Sequence, residues 1–384
     1  DLEAIDYTIT SSTTDAGLSF GWTRAAVAGI ANPAENAGSG NYINEQLDNT
    51  GTEPIDVTYL ITPSIAGCNG PVFTLTVTVN PTPVVTSPST LNACNNTALG
   101  YLITSSTSDA ALSFSWDRAA VAGISNPAVS GQTDNPINES LVNTSTEPVD
   151  VLYVITPKIN GCDGIPFNLT VTVNPTAVIT SPPADTICDN TSLGYNITSS
   201  TTDPSLVIDW SRASVPGITP ATGSGSGFLI NETLDNGTSE PISVDYIITP
   251  SINGCAGTPF TLTVVVNPTP VITSPTTLTV CDDSPLGYAI ASSTGEPGLE
   301  FSRSRNPVGG ISNPAGSGNT ASINEVLDNT TNADVNVVYN MQLSIFGCTG
   351  PAENLTVTVE PTPVATLTNT TAAICTDDNV NITI

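Results

Sequence analysis

The chain has 384 residues, six basic against 35 acidic, no histidine and a formal net charge of −29. That balance argues against nucleic acid and anionic membranes as partners, and the missing histidine excludes His-based triads and His metal sites. Charged residues are only 11% and hydrophobic ones 39%, so the chain is not composed like a disordered one, and no apolar run reaches the roughly 18 residues of a membrane-spanning helix.

In chain order, Asp1 begins in what reads as the middle of a repeat, as expected for a mature or truncated piece of a longer protein. "LSFGWTRAAVAGIANPA" from Leu18 returns as "LSFSWDRAAVAGISNPA" from Leu112, "LVIDWSRASVPGITPAT" from Leu206 and "LEFSRSRNPVGGISNPA" from Leu299. "FTLTVTV" (Phe73 to Val79) alternates strictly, which predicts a half-buried strand. Further strands are expected at Val84–Leu91, Leu112–Trp116, Ile137–Asn143, Val149–Thr156, from Phe167, and at Gly194–Thr201. Gly, Pro, Asn and Asp interrupt them at short intervals, and no segment holds a 3.6-residue period. About seven short strands per unit of about 93 residues predict an all-β fold: tandem Ig/PKD-like β-sandwich domains in a linear array.

Boundaries fall at the Pro-containing tetrads "NPTP" (Asn80 to Pro83), "NPTA" (Asn174 to Ala177), "NPTP" (Asn267 to Pro270) and "EPTP" (Glu360 to Pro363). They divide the chain into 1–80 (a first repeat lacking its first strand), 81–174, 175–267, 268–360, and 361–384, the first strands of a fifth repeat. Paired prolines predict short, semi-rigid linkers.

The unit resembles the PKD-like and Ig-like tandem repeats of large Bacteroidota surface proteins. The matching segments are "LSFSWDR", the "INE" segment, "VDVLYVITPKINGCDG" and the exit "FNLTVTVNP". The resemblance covers essentially the whole chain. It implies a non-enzymatic stalk or fibre of a giant extracellular, cell-surface adhesin, exported by the type IX system. The expected partners are neighbouring repeats of the same chain, further copies by lateral or end-to-end self-association, and a surface or glycan ligand. Two alternatives are a filament subunit that polymerises by donating the C-terminal strands, and an array of carbohydrate-binding modules.

Internal copies can be compared within one chain. Trp22, Trp116 and Trp210 share a position that reads as a core tryptophan on the third strand, with a sugar-stacking platform as the alternative; the fourth copy has Arg303, so the fourth unit is expected to be the least regular. Two residues on stand Arg24, Arg118, Arg212 and Arg305. Their expected partners are Glu45, Glu139, Glu232 and Glu325 of the repeated "NE". Nothing assembles a catalytic set. Calcium is the one cofactor considered, on acidic residues after a cysteine such as Asp189, Asp282 and Asp283, with a solvated turn as the plainer reading. One weak O-glycosylation match lies at Thr186, in "DTI".

Eight cysteines in two series, Cys68, Cys162, Cys255, Cys348 and Cys94, Cys188, Cys281, Cys375, predict disulfides and an oxidising setting; no close pair suits zinc. Three pairings are open. Partners within a repeat (Cys94 with Cys162) are awkward if the A–B and F–G turns lie at opposite ends of a sandwich. Neighbours in sequence (Cys162 with Cys188) are separated by two strands that run the same way. The pairing favoured here joins consecutive repeats, Cys94 with Cys255 and Cys188 with Cys348, leaving Cys68 and Cys162 to upstream partners and Cys281 and Cys375 to downstream ones.

Overall fold

A computed structural model describes residues 3–366. They contain strands, turns and no helix. The repeat between Thr90 and Asn174 shows the plan. Its main sheet runs Val129–Gln132, Leu112–Arg118, Val149–Ile159, Phe167–Asn174 and Thr90–Cys94, with Cys162–Asp163 folding back on the central strand. The central strand pairs antiparallel with both neighbours, Tyr153 lying opposite Arg118 on one side and Leu169 on the other. The edge strand Thr90–Cys94 instead runs parallel to the exit strand, with Cys94 level with Asn174. The same order recurs in the third and fourth repeats, where Cys188 is level with Asn267 and Cys281 with Glu360.

The opposing layer is thinner. Tyr101 and Ile137 meet in a single bridge, and the later repeats have two-residue ladders at Tyr195–Asn196 with Leu229–Ile230 and at Tyr288–Ala289 with Ser322–Ile323. Between the layers lies an apolar core; in the second repeat it includes Ile103, Ile137, Leu141, Val151, Ile155 and Val171. Alternation along the central strand puts Val151, Tyr153, Ile155 and Ile159 inside, each without exposed surface. Such β-branched rows suit a pleated, half-buried surface.

Four sequence expectations need correction. The stretch from Val84 is not a continuous strand: Val85 only bridges Ser105, and the ordered pairing starts at Thr90, after the chain has crossed to the exit strand. Cys94 therefore ends a strand rather than lying in an A–B turn. Ile137–Asn143 and Gly194–Thr201 shrink to isolated bridges and to Tyr195–Asn196, their backbone hydrogen bonds being scattered rather than continuous. Finally, the fourth repeat is not the least regular; register shifts interrupt the strand pairs at Trp22/Arg24 and Val129/Gln132, whereas the matching pair in the fourth is continuous.

The chain divides into two compact units. The first holds everything up to Val178 together with Ser199–Val207 and Pro250–Thr258; the second holds the remainder. The hairpin tip of the third repeat thus belongs with the second repeat. The stub 361–384 lies mostly outside the described residues, as does Cys375.

Candidate functional site at the repeat junctions

Each central strand leaves its sheet through a tight hairpin. In the second repeat Ile159 pairs with Cys162 around Asn160 and Gly161, both at positive φ. Such a two-residue turn requires left-handed backbone at both positions, which asparagine and glycine accept readily. Asn253 and Gly254 repeat the arrangement; the fourth repeat forces Phe346 into it, at φ 48°. The hairpin presents the cysteine at its tip.

That tip meets the exit of the preceding repeat. In the first unit Cys255 is bonded to Cys94, with Cα atoms 5.3 Å apart; in the second, Cys348 is bonded to Cys188 at 5.4 Å. The edge strand makes this possible, because parallel pairing delivers its cysteine to the point where the exit strand leaves for the next repeat. Cys68, Cys162 and Cys281 form no disulfide among the described residues, and the first and last are exposed.

Residues overlooked in the sequence complete the junction. Asn174 accepts a hydrogen bond from Asn253 Nδ2 (2.8 Å) and donates its own amide to Ala93 O (3.1 Å) and Cys255 Sγ (3.7 Å). At the first junction Asn80 repeats two of these bonds, toward Asn160 (2.9 Å) and Cys162 Sγ (3.8 Å), around a sulfur with no disulfide among the described residues. In the third, Phe346 has no amide to give, and Asn267 Nδ2 is buried without a partner. The glycine two residues after each hairpin cysteine lets the linker approach. A Cβ on Gly164, Gly257 or Gly350 would stand 2.2, 2.4 or 1.9 Å from the carbonyl oxygen of Pro83, Ala177 or Pro270.

The residue after the edge-strand cysteine is a clamp. Asn95, Asp189 and Asp282 each accept from the backbone N–H of Asn143, Asn236 or Asn329, and each bonds a linker hydroxyl, Thr176, Thr269 or Thr362. The Asn329 N–H, ahead of the Thr362 hydroxyl, holds the Asp282 carboxyl below the usual range. Asp282, Asp283 and Asp328 bring their carboxylates within 4.8 Å of one another. The uncharged Asn95 makes the same two contacts as Asp189 and Asp282, so this clamp does not depend on a charge. Loops add a further contact: Ser108 donates to Glu53 at 2.5 Å, and the backbone N–H of Thr202 donates to Glu147 at 3.1 Å. Glu240 meets Glu296, and this neighbouring carboxyl pushes the Glu296 carboxyl up. Thr186 is exposed on the edge strand Ala184–Cys188.

Behind the junctions stands an ion-pair network. Arg118 Nε and Nη2 bind the two Glu139 oxygens at 2.8 and 2.9 Å, Nη2 also donates to Pro127 O at 2.7 Å, and Tyr153 Oη donates to Glu139 at 2.7 Å. Arg24–Glu45–Tyr59, Arg212–Glu232–Tyr246 and Arg305–Glu325–Tyr339 repeat it. All four arginines are at least 97% buried. Burial pushes Glu45, Glu139 and Glu325 up, but hydrogen bonds from arginine and tyrosine and the arginine charge outweigh it, leaving each carboxyl below its usual range. Burial, then the glutamate, pushes the tyrosines well up. The tyrosine was the unread member, although it follows the glutamate by 14 residues in every repeat.

The tryptophans lie on the same inward face. Trp116 is buried and donates to Asp134 O at 3.1 Å; Trp22 and Trp210 are half-buried, their ring nitrogens lacking partners. Their rings lie against Gly38 and Gly225, and the centroids of all three stand 5.6–5.8 Å from the network tyrosine.

No curated protein matches the chain. Among solved structures, Drosophila N-cadherin EC1-4 is similar at 13% identity, TM-score 0.26, over 93% of this chain and 94% of that one. The titin I-band fragment I67–I69 is similar at 10% identity and TM-score 0.37, over 74% and 100%. Sidekick-1 immunoglobulin domains 1–4 give 10%, 0.28, and 94% of both chains. The PKD-like domain model matches four times, at residues 2–83, 91–177, 185–270 and 278–363, together most of the chain. The chain belongs to the PKD-like domain family as a tandem array of its repeats.

Proposed function

We propose that this chain is the load-bearing stalk or fibre region of a large extracellular surface adhesin, with repeat boundaries at the four Pro-containing tetrads. The carrying observation is the bond from the edge-strand cysteines Cys94 and Cys188 to the hairpin cysteines of the following repeats, Cys255 and Cys348. A chain whose repeats only had to fold could place its disulfides within each repeat, where they would stabilise it equally well. A chain that must resist extension gains by stapling neighbours, because a tensile load between repeats then passes through a covalent bond as well as through a linker. The disulfides fit an oxidising, extracellular compartment. Cell-surface attachment, export by the type IX system and a Bacteroidota source accompany this reading on the resemblance of the repeats alone. The acidic surface limits lateral association by charge repulsion.

Proteolysis under non-reducing conditions followed by mass spectrometry tests the reading. Fragments joining Cys94 to Cys255 and Cys188 to Cys348 are expected; a fragment joining Cys94 to Cys162 would overturn it.

A further inference from the structure

Arg303 stands where the other three repeats carry tryptophan, and its surroundings differ from theirs. Of the six basic residues, Arg24, Arg118, Arg212 and Arg305 are locked to glutamates and Lys158 lies 2.8 Å from Asp163. Among the described residues, Arg303 forms no ion pair within 4 Å. Its guanidinium lies across Gly318, as the indoles lie across Gly38 and Gly225; a Cβ at Gly318 would come 2.6 Å from its Cζ. Nη1 donates to Thr320 O and Oγ1, both at 2.8 Å, while Nε and Nη2 have no hydrogen-bond partner among the described residues.

The guanidinium borders a cleft of about 380 Å³, also lined by Ser317, Thr320, Ser322, Asn324 and Tyr339. That size falls in the lower part of the range of small-molecule sites. Glu325 also lines it, but Arg305 and Tyr339 already engage that carboxylate. Arg303 is therefore the cation lining the cleft, and no carboxylate among the described residues holds it in an ion pair, although its charge also reaches Glu325.

We infer that the fourth repeat carries a binding cleft for a hydroxylated carboxylate of monosaccharide size, a uronic acid, seated by Arg303. The unused Nε and Nη2 form a planar fork whose spacing fits the two oxygens of a carboxylate. The hydroxyls of Ser317 and Ser322 and the amide of Asn324 suit the ring hydroxyls of a sugar acid. A singly charged carboxylate suits a chain of net charge −29 better than a doubly charged phosphate, which the surrounding field opposes more strongly. The other repeats fill the same place with indole and offer no cation. This reading stands apart from the stalk assignment, and either can fail alone.

The test is titration of the whole oxidised chain with sodium glucuronate at low ionic strength, followed by calorimetry and by NMR of an isotopically labelled sample. Saturable binding is expected, with at least about tenfold weaker binding in Arg303→Gln, since a charge-assisted pair is lost, and none in Arg303→Trp. The tryptophan variant introduces the residue that three repeats already accommodate, and an unchanged melting temperature would show that it folds. Sodium acetate should bind more weakly than glucuronate, and methyl glucoside not measurably. Absence of saturable glucuronate binding, binding by either variant as tight as by the unaltered chain, or equal binding of methyl glucoside would each overturn the inference.

Discussion

Arg118 is among the largest fully buried side chains, and it sits in the core of a chain with six basic residues. Burial of a charge is tolerable only when its partners are complete; here the glutamate and two backbone carbonyls complete those of the arginine, and the tyrosine in turn donates to the glutamate. Glu139→Ala should therefore destabilise its repeat by about 3–5 kcal/mol, measured by denaturant unfolding, whereas an exposed pair such as Lys158–Asp163 should give under about 1 kcal/mol. The pH dependence has a definite sign. Carboxyls held below their unfolded value bind fewer protons in the native state than in the unfolded one. Their contribution is complete above the unfolded value, about pH 4.3, and is lost as pH falls through the lower folded values. The raised tyrosines contribute below about pH 10 and lose that contribution as pH rises further. Glu139→Gln should flatten the acid limb. Phe346 offers a test in the opposite direction: Phe346→Asn relieves a bulky residue at positive φ and restores the donor that Asn253 supplies to Asn174, so a gain of about 1 kcal/mol is expected in thermal unfolding.

Strands with strong alternation were legible in the sequence. Phe167–Asn174 and Val149–Ile159 alternate over long runs, and their partners follow from that period. The edge strand was not legible, because Thr90–Cys94 is short and mixed, and only its parallel pairing with the exit strand identifies it. Its effect shows in the first repeat. Among the described residues no strand flanks Phe73–Val79 on that side, and Leu75 and Val77 are only half-buried where Leu169 and Val171 are fully buried. The Arg–Glu partnership was readable from recurrence in a chain poor in cations; the Asn174–Asn253 contact was not, since asparagine abounds and a cross-repeat contact leaves no local period. The hairpin glycines were equally silent, because their reason is a carbonyl from the previous linker. Gly257→Val places a side chain against Ala177 O and should lower stability by about 1–3 kcal/mol even with the disulfide intact, measured by thermal unfolding in non-reducing buffer.

The covalent plan of the whole molecule follows from two bonds that overlap in sequence. Cys188 lies inside the segment closed by Cys94–Cys255, and Cys255 inside the one closed by Cys188–Cys348; these segments span 161 and 160 residues. Removing one bond by Cys94→Ser with Cys255→Ser should cost about 2–4 kcal/mol, seen as a lowered unfolding midpoint. The overlap matters more under tension. The shortest covalent route from Cys94 to Cys348 crosses the first disulfide, runs back from Cys255 to Cys188 and crosses the second. Unfolding of the oxidised segment can therefore extend it to only on the order of 200 Å, against on the order of 900 Å for the reduced chain. The most direct test is single-molecule stretching of the full chain, oxidised and then reduced. The stapled array predicts that reduction adds several hundred ångströms of extensible length; an equal total extension in both states would contradict it.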